Sequence, residues 1–440
     1  MTRNHSELAP LIRLAIPVAI AQMANMLMQV VDTYFVGQLG AEALGGVGIG
    51  TSIFSPLMVF GVGILFGMDY PVSHAIGARD HKTANHYLIQ ATWIAALISI
   101  PLTALMFWVG SDLSVLGIER STAAQAKIYL DILAWSLPSN LLFMSFRQYL
   151  TSHGAATPTL IIMILANVIN AFLNWVLVFG RLGTDPMGIS GSAWATFYSR
   201  LFMMVAVIAY TYWFSSKNGL NLSATPLGFE TDKIKKILRL GIPASLQLLL
   251  EVGVFAGATL IAGRLGAVPV AAHQIVLQIA SFTFMIPLGF SSAASVRVAQ
   301  ALGRGEPENA HAAGSLAIGF GAAIMTVCGL TIFLFGNTIL DFFTTDLAVV
   351  EVGQKLLLIA ALFQISDGIQ VVSTGALRGT GDTRKSMVAN LFGHWFLGLP
   401  LGLVLCFTFD WGITGIWAGL STGLTVVAVA LLVLWRKRTK

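Results

Sequence analysis

Residues 237–266 read ILRLGIPASLQLLLEVGVFAGATLIAGRLG, a long apolar segment with one carboxylate, Glu251, near its middle. Residues 11–40, LIRLAIPVAIAQMANMLMQVVDTYFVGQLG, align with it without a gap at an offset of about 226 residues, an internal repeat. Leu-Ala-Ile-Pro at 14–17 falls on Leu-Gly-Ile-Pro at 240–243, and Val-Gly-Gln-Leu-Gly at 36–40 on Ala-Gly-Arg-Leu-Gly at 262–266. The acids do not coincide: Asp32 faces Ala258, and Glu251 faces Asn25. The chain therefore reads as a duplication whose halves share a frame but place their buried charges differently. A charge inside an apolar frame marks a functional candidate.

The 440 residues are 56% hydrophobic and 10% charged. Soluble domains carry roughly 25% charged residues, so this chain cannot cover a soluble surface of its size and most of it faces lipid. Cys328 and Cys406, both in apolar runs, form no disulfide or metal framework. The first apolar run extends from near Leu8 to about Val36, too long for the core of a cleaved signal. The net charge of +5 reads as a positive-inside bias and not as nucleic-acid binding.

Apolar runs of about 20 residues or more, enough to cross a bilayer, fall near 9–36, 44–76, 88–110, 126–150, 158–180 and 188–214. They recur near 236–262, 269–300, 312–337, 350–376, 385–408 and 412–435. The expectation is twelve membrane helices: a first lobe at 1–214, a polar linker at 215–235 and a second lobe at 236–440. The second and eighth runs exceed the need, which predicts tilt or interrupted ends. Most Lys and Arg residues, from Arg3, Arg79 and Lys82 through Lys233–Arg239 to Arg384 and Arg436–Lys440, fall on one side of this threading. That side is expected to be cytoplasmic, with both termini on it. Six spans per half insert both halves the same way, which implies an axis along the membrane normal and a substrate site between the halves.

Polar residues form stripes along several spans. Gln22, Asn25, Gln29 and Asp32 share one face of the first, and Asn167, Asn170 and Asn174 one face of the fifth. The seventh carries Gln247 and Glu251, the eighth Gln274, Gln278 and Ser281, and the tenth Gln364, Asp367 and Gln370. Such stripes must face protein or water. They predict a central cavity with Gln29, Gln274 and Gln364 on its wall; for any single amide, helix-to-helix hydrogen bonding is the simpler role. At 1.5 Å per residue, Asp32, Asn174 and Thr196 lie roughly 8–12 Å below the outer helix ends, with Asn170 a little deeper. One carboxylate, two amide oxygens and a hydroxyl at matched depth suit a small cation or a proton-binding Asp32. Glu251 and Asp367 lie deeper in the other half, where a proton, Na⁺ or a cationic substrate would compete for their charge, with Gln278 beside them. Asp69 reads as structural, paired with a basic loop residue, and Arg200 as a paired or snorkelling cation. His74, His273 and His394 read as satisfied packing groups. There is no phosphate-binding Gly-Lys-Ser/Thr loop, no metal-ligand cluster and no Ser/His/Asp grouping, so no catalytic residue and no cofactor is expected.

The repeated Ile-Pro and Gly-x-Leu-Gly frame, Gly-Ala at 77–78 and Leu-Arg-Gly-x-Gly-Asp-Thr at 377–383 resemble the multidrug and toxin extrusion (MATE) family over essentially the whole chain. Val-Asp-Thr at 31–33 with Glu251 and Asp367 resembles its NorM-like branch, although Gly-Met-Asp at 67–69 also looks like a segment of eukaryotic members. The resemblance implies an all-α membrane protein of the MATE/MOP type, twelve helices in two pseudo-symmetric six-helix lobes. It implies a monomeric antiporter of the cytoplasmic membrane that exports lipophilic organic cations and drugs while Na⁺ or H⁺ enters. Asp32, Asn170, Asn174 and Thr196 match the family's first-lobe cation site, and Glu251 and Asp367 its second-lobe acids. Some relatives carry an acid where Asn174 stands, a departure that bears on the coupling ion. A lipid-linked oligosaccharide flippase of the same superfamily is the alternative, disfavoured because the buried charges are mainly acids. A channel is the third reading, and an intramembrane enzyme the least supported.

Overall fold

The computed structural model describes residues 2–113 and 119–438, with side chains from Glu7 onward. Arg3 and Lys440, counted on the basic side, lie outside the described side chains. Among the described residues every regular element is helical. The chain runs α1 (Thr2–Gly37), α2 (Ala41–Leu65), a 3₁₀ turn (Phe66–Met68), α3 (Asp69–Gly77), α4 (His81–Ser111), α5 (Arg120–Ala134), α6 (Ser136–Ser152), α7 (Ala156–Phe179) and α8 (Ile189–Lys217). It continues through α9 (Thr231–Leu265), α10 (Ala267–Gly303), α11 (Pro307–Phe343), α12 (Leu347–Arg378), α13 (Arg384–Asn390), a π-helical stretch (Leu391–Gly398), α14 (Leu399–Phe407) and α15 (Gly412–Arg438).

Eleven helical stretches among the described residues are long and apolar enough to cross a membrane. The expected run at 126–150 is the exception, because it is divided between α5 and α6, 15 and 17 residues long. Pro138 is the physical reason. It has no N–H to give to the Ala134 carbonyl, and that carbonyl instead accepts from the Thr103 hydroxyl at 3.4 Å. The Ser136 hydroxyl covers the Leu133 carbonyl at 2.6 Å. The predicted interruption of the second run is present as the 3₁₀ turn between α2 and α3, whereas the eighth run is one unbroken helix of 37 residues despite Pro287.

Contacts divide the chain into two compact units, Ala21–Ser245 and Met1–Ile20 with Leu246–Lys440. The partition differs from chain order at two points related by the repeat. The first turns of α1 belong to the carboxy-terminal unit and the first turns of α9 to the amino-terminal one. Small residues make both memberships possible. In the amino-terminal unit a Cβ on Gly63 would strike the Ser245 backbone, and in the carboxy-terminal unit one on Gly289 would strike Ala19. Gly63 and Gly289 are repeat equivalents, as are Ala19 and Ser245. Pro17 and Pro243, also equivalent, precede the two crossing points inside continuous helices.

The linker is held by α4 within the amino-terminal unit. Asn85, Gln90 and Trp93 donate to the carbonyls of Leu220, Gly228 and Leu227 at 2.7, 2.9 and 2.8 Å. The Trp93 and Phe229 rings stack at 4.6 Å. Irregular backbone needs such partners when it lies against a membrane domain.

Candidate functional site

In the amino-terminal unit, α1, α7 and α8 bring four polar side chains together. Asp32 Oδ1 accepts from Asn170 Nδ2 at 3.0 Å and from Asn174 Nδ2 at 2.8 Å, and Oδ2 accepts from the Thr196 hydroxyl at 2.5 Å. Asn170 and Asn174 are one turn apart on α7, so both amides reach the same carboxylate oxygen. Asn174 Nδ2 also bonds the Asn170 carbonyl at 3.0 Å. All four residues are buried, none more than 4% exposed. The matched depth of the four therefore corresponds to real contact. Asn170 Oδ1 and Asn174 Oδ1 are buried and have no donor. Buried polar atoms normally find one. A half-turn of either amide exchanges its oxygen for its nitrogen without moving the helix. The same four residues can thus present donors to an ionised Asp32 or oxygens to a cation beside it, an arrangement that fits hard cations bound through oxygen.

Arg200 lies on α8 near this group. Its Nη1 donates to Ser136 Oγ at 2.7 Å, and its guanidinium sits 4.5 Å over the Phe54 ring. It is within electrostatic range of Asp32. The expected pairing of Arg200 is thus with a hydroxyl and a ring face. Asp69 was expected to meet a basic loop residue. It accepts instead from Gln148 Nε2 at 2.7 Å and interacts with Arg147, both on α6. Arg147 is buried and donates through two nitrogens to Gln22 Oε1, each at 3.2 Å. Sequence reasoning missed this intramembrane arginine; the available signal was Arg147 followed by Gln148 inside the apolar run at 126–150. Asn167 bonds the Ala24 and Met163 carbonyls at 3.0 and 2.9 Å, the helix-joining role that a single amide most simply fills.

In the carboxy-terminal unit, Glu251 on α9 and Asp367 on α12 are both buried and interact electrostatically. Gln370, one turn along α12 from Asp367, lies within reach of the Glu251 carboxylate and stabilises its charge. Gln370 Nε2 reaches Asn390 Oδ1 on α13 at 3.1 Å, and Asn390 Nδ2 bonds the Ser386 carbonyl at 2.9 Å. Two buried carboxylates in mutual range do not both carry charge without a compensating cation. Gln364 is buried one turn from Asp367 and donates to Thr283 Oγ1 at 2.8 Å. Gln278, expected beside the two acids, is exposed, as are Gln274 and Gln29. Gln274 and Gln278 share one face of α10, and that face is turned to the surface of the unit. Among the described residues no group of three or more His, Cys, Asp or Glu side chains is placed to hold a metal.

The family model MatE matches residues 17–176 and 243–404, one copy in each half of the repeat. The chain belongs to the MatE family. A probable multidrug resistance protein NorM of Brucella suis biovar 1 is 33% identical over 438 residues, covering 98% of this chain and 93% of the relative. A multidrug resistance protein NorM of Aliivibrio fischeri is 31% identical over 445 residues, covering 100% and 96%. The NorM-like resemblance read from the acids is borne out at this level. Among solved structures, the eukaryotic MATE transporter AtDTX14 superposes with a TM-score of 0.90 at 23% identity, covering 99% of this chain and 98% of its own. An outward-facing multidrug resistance MATE family transporter of the MOP superfamily gives 0.87 at 22%, covering 98% and 95%. At those identities the superpositions establish the fold. This MatE chain is accordingly an all-α integral membrane protein with the MATE fold.

Proposed function

We propose that this protein is a secondary active multidrug exporter that moves lipophilic organic cations outward in exchange for Na⁺ or H⁺. The observation that carries the reading is the buried Glu251–Asp367 pair with Gln370, two acids that require a cation, backed by the separate Asp32 group. Relatives named multidrug resistance proteins support the substrate class. Coupling follows if the entering cation and the drug exclude one another at these acids and the protein alternates its access. Each elementary charge carried inward supplies about 2.3 kcal/mol per 100 mV, enough for one or two ions to sustain a useful drug gradient. Asp32, Asn170, Asn174 and Thr196 would hold one cation, Glu251 and Asp367 another cation or the drug. The chain acts as a monomer in the cytoplasmic membrane with both termini inside, in keeping with its basic loops.

The test is efflux of a fluorescent lipophilic cation from proteoliposomes, with Na⁺ and pH gradients imposed separately. Efflux driven by one gradient identifies the coupling ion. Efflux driven by neither, in folded protein, would overturn the antiport reading in favour of a lipid-linked oligosaccharide flippase.

A further inference from the structure

His273 and His394 are both buried in the carboxy-terminal unit, and both read as packing residues in the sequence. Their surroundings differ. His273 has a partner on each ring nitrogen: the Thr259 hydroxyl at 2.8 Å from Nε2 and Trp417 Nε1 at 3.0 Å from Nδ1. His394, 1% exposed, has no partner on either nitrogen. It stands inside the π-helical stretch Leu391–Gly398, a local widening that recurs where helices carry function.

The unpartnered atoms around it form a pattern. On α12, Asp367, Gln370 and Thr374 recur at spacings of three and four and share a face; on the next span, Ser386, Asn390 and His394 recur at spacings of four. All six are buried. Gln370 Oε1, Thr374 Oγ1, Ser386 Oγ and both nitrogens of His394 lack partners. The Gln370–Asn390 bond fixes the register of the two stripes. Because consecutive spans run in opposite directions, His394 then stands level with Asp367 and Ser386 level with Thr374, each within about 2 Å in depth. The unpartnered groups thus occupy matched depths on the two segments, from His394 at the level of Asp367 to Ser386 at the level of Thr374. Buried polar atoms left without protein partners are satisfied by water when two to four of them converge. Asp367 faces the Glu251 carboxylate of α9, and α15 brings no ionisable side chain before Arg436.

We propose that α12 and the α13–π segment enclose a file of ordered waters within this one unit, running from the level of Asp367 and His394 past Gln370 and Asn390 to Thr374 and Ser386. It is the path by which the coupling cation leaves the Glu251–Asp367 pair towards the basic, terminus-bearing side. The cation role rests on the antiport reading above, while the hydration does not.

The experiment is hydroxyl-radical labelling by X-ray radiolysis of the purified protein in nanodiscs, which modifies side chains beside bound water. His273 is the internal control. His394 is expected to be modified at least about fivefold faster than His273; equal rates, or a slower His394, overturn the water file. The exit role is read with Ser386→Ala and Thr374→Val. Each is expected to slow gradient-driven efflux about tenfold, with drug affinity unchanged and His394 labelling reduced. Wild-type efflux in both variants overturns the exit role. If no cation gradient drives efflux in the wild type, the antiport reading fails, and the labelling ratio still decides whether the file exists.

Discussion

The two units solve the burial of acid in opposite ways. Asp32 is a single carboxylate with three donors from Asn170, Asn174 and Thr196. Glu251 and Asp367 are two buried carboxylates that interact with each other, and only Glu251 has the Gln370 amide within reach. In the first group both carboxylate oxygens accept from a neutral side-chain donor. The second is incomplete, because like charges at depth oppose each other until a cation arrives. The equivalent helices α1 and α9 thus carry their acids at different positions and to different partners: Asp32 to amides on α7 and a hydroxyl on α8, Glu251 to a second acid on α12.

The largest expected effect separates these two cases. Asp32→Asn leaves three donors without their anionic acceptor, and coupled efflux in proteoliposomes should fall on the order of 100-fold. Its thermal midpoint should fall too, since each donor that faced a charge and now faces a neutral amide loses about 1 kcal/mol. Efflux at the wild-type rate would remove Asp32 from the coupling machinery. Next in size, Glu251→Gln relieves the repulsion in the other unit. Efflux should drop about tenfold or more, yet the thermal midpoint should hold or rise, because one uncompensated buried charge has gone. A midpoint as low as that of Asp32→Asn would erase the distinction between the units.

A third variant converts one type of site into the other. Asn174→Asp sets a second carboxylate beside Asp32 and should tighten cation binding several-fold, on the order of 1 kcal/mol, as measured by titration calorimetry with Na⁺ at fixed pH. Unchanged binding would mean that the two sites differ for reasons other than carboxylate number. The smallest effect belongs to Thr196→Val, which removes one donor of three. It should cost about 1–2 kcal/mol, seen as a weaker cation dependence of efflux with maximal rate retained; complete loss of transport would assign the hydroxyl a larger role than supporting Asp32.

Much of this architecture is legible in the chain because it is periodic. The repeat, the spans and the stripes follow from spacing along a helix, and depth alone aligned Asp32, Asn174 and Thr196. The stripes did not reveal which of their members are enclosed within a unit. Gln29 follows Gln22 and precedes Asp32 on one face, yet Gln22 meets Arg147, Gln29 is exposed and Asp32 is buried. Gln274 and Gln278 repeat at helical spacing and remain on the surface. A spacing defines a face but not the neighbour opposite it, since that neighbour comes from hundreds of residues away.

By itself, the sequence determined that this is a duplicated, helical, lipid-embedded chain with isolated acids at depth. Backbone hydrogen bonding in lipid admits only helices for such runs, and apolar length sets where they cross. Only the tertiary structure decided that α1 and α9 each contribute their first turns to the unit of the opposite half. It alone decided that Asp32 gathers three donors, and that His394 stands without a partner while His273 has two. Those outcomes depend on which side chains meet across helices, a matter of packing and partner geometry that no local pattern contains.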